Sequence, residues 1–127
     1  MIEAEQRWVD QAKYDLDTAQ AMLDACRYMY VLFCCQQAVE KALKAKIVGL
    51  TGELPPRIHN LLRLSEKAGI DLQVEMAQFF GELSDFYVQS RYPEEISAIG
   101  AKVSRDIATE ILSKTEEVIQ WLLSASK

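Results

Sequence analysis

The sequence holds a single histidine, His59, in 127 residues. A site that needs two imidazoles from one chain is therefore excluded, and the Glu-x-x-His pairs of a diiron bundle go with it. Cysteine is scarce as well, with only Cys26, Cys34 and Cys35. Adjacent residues on a helix point about 100° apart, so Cys34 and Cys35 do not converge, and no C-x-x-C pair exists. No metal site is expected. An odd number of cysteines fits reduced thiols in a cytosol better than a secreted disulfide framework. Five glycines and three prolines are few breakers, which favours long helices over many short strands. No apolar run approaches the ~18 residues needed to cross a bilayer. The opening MIEAEQRWVDQAK is polar and mixed in charge, unlike a signal peptide. A soluble cytoplasmic chain is the expectation.

Positive charge is not in excess. The formal net charge is −5 and the pI about 4.9. A broad basic surface for nucleic acid would normally make a chain basic. An extended DNA-binding surface is thus excluded, and any RNA contact must be local. The same acidity argues against a polybasic membrane-surface mode. No glycine-rich dinucleotide fingerprint, P-loop or nucleophile elbow is present, so no cofactor is expected.

What is present is helical periodicity. Apolar residues make up 50% of the chain and charged residues 26%, enough for one continuous core in a single domain over 1–127. Trp8, Ala12, Leu16, Ala19, Leu23 and Cys26 recur at steps of three and four, giving a helix from about Glu3 to Arg27. Leu32, Cys35, Val39, Ala42 and Ile47 mark a second, from Tyr28 to Val48, with Gly49 as its stop. The stretch GLTGELPPR is a connecting loop. A short helix from about His59 to Lys67 follows. Asp71 is a candidate N-cap for a third long helix, striped with Phe79, Phe80, Leu83, Phe86 and Tyr87. Pro93 cannot continue that helix, which should end near Ser90. The last helix starts between Pro93 and Gly100 and runs to about Leu123, with Ile99, Val103, Ile107, Ile111, Val118 and Leu122 as its core face. Short connections favour antiparallel neighbours. The expected fold is therefore an all-α, antiparallel up-and-down four-helix bundle with one extra short helix.

Four motifs stand in order along this frame. The first helix carries Trp8, Ala12, Asp15, Leu16 and Ala19. The second reads FCCQQAVEKALKAKI. The loop region gives RIHNLLRL, and the third long helix ends LSDFYVQSRYP. Together they resemble the HEPN family over nearly the whole chain. The resemblance implies an up-and-down four-helix bundle, a homodimer, and association with a minimal nucleotidyltransferase in modules of toxin–antitoxin type. Several members are metal-independent RNases, whose site is an Arg, four to six residues and a His before the last helix. Here Arg91 stands at the matching junction, but the matching positions hold Ile96, Ser97 and Ala98. The acid–base partner that RNA cleavage by this route requires is missing there.

Arg91 is the first candidate site residue. A guanidinium at a helix break binds phosphate bidentately; the alternative role is to satisfy helix carbonyls or a carboxylate such as Glu40. Tyr92 is a candidate for base stacking, or packs at a bundle end. Gln37, Glu40, Lys41 and Lys44 share a side of the second helix. They line a polar groove for phosphates, or form a solvated face with an ion pair. His59 is a candidate general base or a capping residue. The leading expectation is a nucleotide- or RNA-associated binding module partnered with a minimal nucleotidyltransferase. The alternatives are a metal-independent RNase toxin using Arg91 with His59 or Tyr92, and a purely dimerising interaction protein.

Overall fold

A computed structural model of the chain describes residues 2–87 and 92–124. Among them six helices run in the order α1 (Glu3–Asp24), α2 (Tyr28–Thr51), α3 (Leu61–Lys67), α4 (Val74–Ser84), α5 (Pro93–Gly100) and α6 (Arg105–Ser124). Among the described residues there is no strand. The all-α bundle is the one the apolar periodicities require.

Helix α2 is its axis. Thirteen of its 24 residues are buried, so it is covered on most sides rather than along one stripe. It touches every other helix, and its contact with α1 is the most extensive in the molecule. Alanines explain that closeness. Ala12 and Ala19 on α1 and Ala38, Ala42 and Ala45 on α2 are all buried, and small side chains let two backbones approach. Around this pair, Leu32 and Leu43 of α2, Leu61 and Leu64 of α3, Phe80 and Leu83 of α4 and Leu122 of α6 are essentially sealed from solvent. Ser84 ties two short elements together: its hydroxyl accepts from the Leu61 amide at 3.0 Å and donates to the Phe80 carbonyl at 2.9 Å.

Several boundaries differ from the sequence expectation, each for a local reason. Helix α1 ends at Asp24, not Arg27. Cys26 takes a left-handed φ of 62°, and the Arg27 and Cys26 amides reach back to the Met22 and Leu23 carbonyls at 2.8 and 3.1 Å. This closes the helix in a Schellman turn and exposes Cys26, which the apolar stripe had included. Helix α2 passes through Gly49 and stops at Gly52, whose φ of 70° and amide bond to the Val48 carbonyl make the cap. Helix α3 begins at Leu61 because the Asn60 side chain accepts from the Leu62 and Arg63 amides. His59 is thereby released from capping. Gln73, not Asp71, precedes α4.

The segment expected as one last helix is two. Pro93 opens α5 at its first position, where its missing N–H costs nothing. Residues Ala101–Ser104 then break the run before α6. The α6 core face accordingly turns to Ala108, Leu112, Thr115, Val118, Ile119 and Leu122. Ile107 is left 41% exposed. Helix α4 stops at Ser84, short of the expected end near Ser90, because the next amides turn to carbonyls three residues back, Asp85 to Glu82 at 3.2 Å and Phe86 to Leu83 at 3.1 Å. Ser90 and Arg91 lie outside the described residues.

Candidate functional site

The site is built on one row of α2. Gln36, Glu40 and Lys44 are spaced i, i+4, i+8, so they stack along one face one turn apart. All three are buried, between the core residues Cys35, Val39 and Leu43. Three polar groups without water must satisfy one another. They do so around the Glu40 carboxylate. Oε2 accepts from the Lys44 ammonium at 3.0 Å. Oε1 accepts from the Gln36 amide at 3.0 Å and meets His59 Nδ1 at 3.0 Å. Gln36 also donates to the His59 carbonyl at 3.0 Å, which pins the loop before α3 against α2. Lys44 lies 5.6 Å from the Trp8 ring centroid of α1, adding a cation–π contact.

This network fixes the only imidazole. A carboxylate only accepts, so Nδ1 carries the proton in this contact. Nε2 has no partner among the described residues, and the His59 side chain is 44% exposed. Its ring lies flat on Tyr87, with centroids 3.9 Å apart and planes 14° off parallel. Tyr87 is half-buried, and burial together with the negative Glu40 raises its phenol above the ordinary value. It therefore remains a neutral hydroxyl through physiological pH. From Tyr87 the ring contacts continue to Phe33 at 6.0 Å and from Phe33 to Tyr30 at 6.5 Å. Chemically, the cluster offers a held imidazole with one open nitrogen, set on an aromatic row.

The sequence candidates are distributed unevenly over this geometry. Glu40, Lys44 and His59 come together. Lys41 does not join them; its ammonium pairs with Asp15 of α1 at 2.8 Å, both side chains mostly buried. That pair clamps α1 to α2. Gln37 is half-buried at the margin and donates to the Gln36 amide oxygen at 2.8 Å. Lys41 and Lys44 are thus each committed to a carboxylate, and the face is not an open cationic groove. Tyr92 is 73% exposed at the start of α5. The expected pairing of Glu40 with Arg91 lies outside the described residues, and Glu40 is already matched by Lys44, Gln36 and His59.

Sequence reasoning passed over Gln36, Phe33 and Tyr87. The polar i, i+4, i+8 spacing inside an apolar helix was the available signal for Gln36. Nothing local marks Tyr87 as the partner of a residue 28 positions earlier. The thiols stay outside the site: burial pushes Cys34 up to about 11 and Cys35 up to about 12, so both remain protonated and inert as nucleophiles. A separate groove of about 520 Å³ beneath α5 is mainly apolar, lined by Leu32, Phe86, Ile99, Val103, Ile107 and Ile111 among others. Glu82, Asp85 and Lys102 also line it.

Comparison with known proteins bears on the whole chain. A model of the HEPN domain matches residues 5–125. Two solved structures are similar in fold, each with a TM-score of 0.78 over 97% of this chain and 98% of the other. One is TT1696 from Thermus thermophilus, 23% identical. The second is ST0689, described as an archaeal HEPN homologue, 24% identical. No curated protein matches the chain.

Proposed function

The chain belongs to the HEPN domain family, and from that premise we propose that it is a nucleotide- or RNA-binding module whose ligand sits at the His59–Tyr87 cluster and the Arg91–Tyr92 junction. One observation carries this reading. His59 is held on three sides, by Glu40 at Nδ1, by Tyr87 on its face and by Gln36 at its carbonyl, while Nε2 has no partner among the described residues. Fixing an exposed imidazole this tightly adds little to a core that is already closed. It does lower the entropic cost of contacting a ligand. Arg91 follows Tyr87 by four residues in the chain and supplies a guanidinium for phosphate. The acidic net charge keeps such binding local.

Within this reading, the module works as a homodimer beside a minimal nucleotidyltransferase, in a system of toxin–antitoxin type. That part rests on family resemblance. No helix among the described residues is long and apolar enough to cross a membrane.

The test is titration of AMP, ATP and a short single-stranded RNA against the wild type, Arg91→Ala and His59→Ala. Each variant is expected to bind roughly tenfold more weakly, equivalent to about 1.4 kcal/mol. No binding by the wild type, or equal binding by all three, sinks the assignment. The anchored imidazole also favours a second reading, metal-independent RNA cleavage with His59 as base. Incubating the same RNA with EDTA decides it: cleavage lost in His59→Ala supports that reading, and intact RNA rejects it.

A further inference from the structure

The ring contacts that begin at His59 do not stop at the anchored pair. They run through Tyr87 and Phe33 to Tyr30, with centroid separations of 3.9, 6.0 and 6.5 Å. Phe33 and Tyr30 are one turn apart on α2, and Gln37 is one turn beyond Phe33 on the same side. Tyr30 is 45% exposed at one end and His59 is 44% exposed at the other. The row therefore surfaces at both ends and is half-buried between them.

Three features say what such a row would hold. First, Lys44 and Lys41 are spent, on Glu40 and Asp15 respectively. With a net charge of −5, affinity for a polyanion cannot come chiefly from phosphate contacts. Stacking on aromatic rings is the contribution that does not need them. Second, the outer rings are turned against one another, with planes 49° apart at Tyr87–Phe33 and 89° apart at Phe33–Tyr30. Bases lying on them would be splayed, not parallel as in a duplex, whose bases are buried in their own stack. Third, polar groups flank the row where base edges would come. The Gln37 side-chain oxygen has no hydrogen bond among the described residues, although its nitrogen is bonded to Gln36. His59 Nε2, at the end of the row, likewise has no partner among the described residues.

We propose that Tyr30, Phe33, Tyr87 and His59 form a stacking track for splayed bases of single-stranded RNA, with Gln37 and His59 as edge contacts. The proposal rests on the nucleotide- or RNA-binding reading above and extends it from one nucleotide to several. Affinity on this track is governed by rings, so its salt dependence is shallow. For single strands each neutralised phosphate contributes a slope of about −0.7 in log K against log salt. One arginine and a shared contact give a slope of about −1, whereas a cationic groove of roughly six contacts gives about −4.

The experiment is fluorescence anisotropy with labelled ten-nucleotide poly(U) and poly(A) strands and a matching RNA duplex, on the full chain and its Tyr30→Ala variant. Tyr30 is exposed, so its truncation spares the core, which thermal melting will verify. Expected results are binding of both single strands, much weaker duplex binding and a salt slope of about −1. Tyr30→Ala should weaken single-strand binding by about 5- to 150-fold, the range of one lost base stack, while AMP binding stays unchanged. Unchanged strand affinity in Tyr30→Ala overturns the track but leaves a mononucleotide site standing if AMP still binds. Absence of AMP and strand binding in the wild type overturns both readings. Loss of a dimer in Tyr30→Ala without loss of RNA affinity makes the row a seam between copies, and also overturns the track.

Discussion

At the residue scale, Glu40 organises the centre of the molecule. Its carboxylate is buried, with side-chain exposure of 5% against 7% for Lys44. A buried pair of this kind is weak evidence of net stabilisation, because both charges lost their hydration. Breaking it is a different matter. Glu40→Ala leaves the Lys44 ammonium without a counter-charge and strips acceptors from Gln36 and His59. A loss of about 3–5 kcal/mol is expected for such a break, read from the urea midpoint. A loss below about 1 kcal/mol would mean that Lys44 reaches water once Glu40 is gone. His59→Ala, by contrast, removes a half-exposed ring and should cost much less while abolishing the open nitrogen. The sequence marked Glu40, Lys44 and His59 as separate candidates. It could not join them, because His59 reaches Glu40 across 19 residues of chain, through a loop whose path no local pattern specifies.

At the element scale, three helices end on a left-handed residue: Cys26 after α1, Gly52 after α2 and Gly69 after α3. Two are glycines, which adopt that conformation without a Cβ clash. Cys26 is not, and its position carries strain of about 1–2 kcal/mol. Cys26→Gly is therefore expected to raise the melting temperature, and Gly52→Ala to lower it by an amount corresponding to about 1 kcal/mol. If both changes are neutral in thermal melts, the two turns are not formed as described. Gly49 was the more obvious stop from sequence, since both glycines follow the same apolar run. The choice between them depends on which one lets the last carbonyls be capped, and the Gly52 amide bond to Val48 decides it. The break between α5 and α6 was missed for a related reason. Ile99, Val103 and Ile107 keep a helical step across residues that do not form a continuous helix, so periodicity alone bridged a gap.

At the scale of the whole molecule, the proposed homodimer is the expectation to check. Sedimentation at tens of micromolar, within the affinity range of stable complexes, should give about twice the 14.4 kDa of one chain. A monomer throughout that range rejects it. What the sequence alone determined is the class of fold. Few breakers and apolar steps of three and four were sufficient for an all-α bundle, because those features act within a helix or across one turn; the likeness to the HEPN family rested on the four ordered motifs. Which polar residues meet was decided only in three dimensions. Lys41 turned to Asp15, Lys44 and His59 turned to Glu40, and Tyr87 lay down on His59, because buried charges and rings must find partners wherever the packed helices bring them. Such pairings depend on how α1, α2 and the loop before α3 are set against one another, and no short-range pattern encodes that.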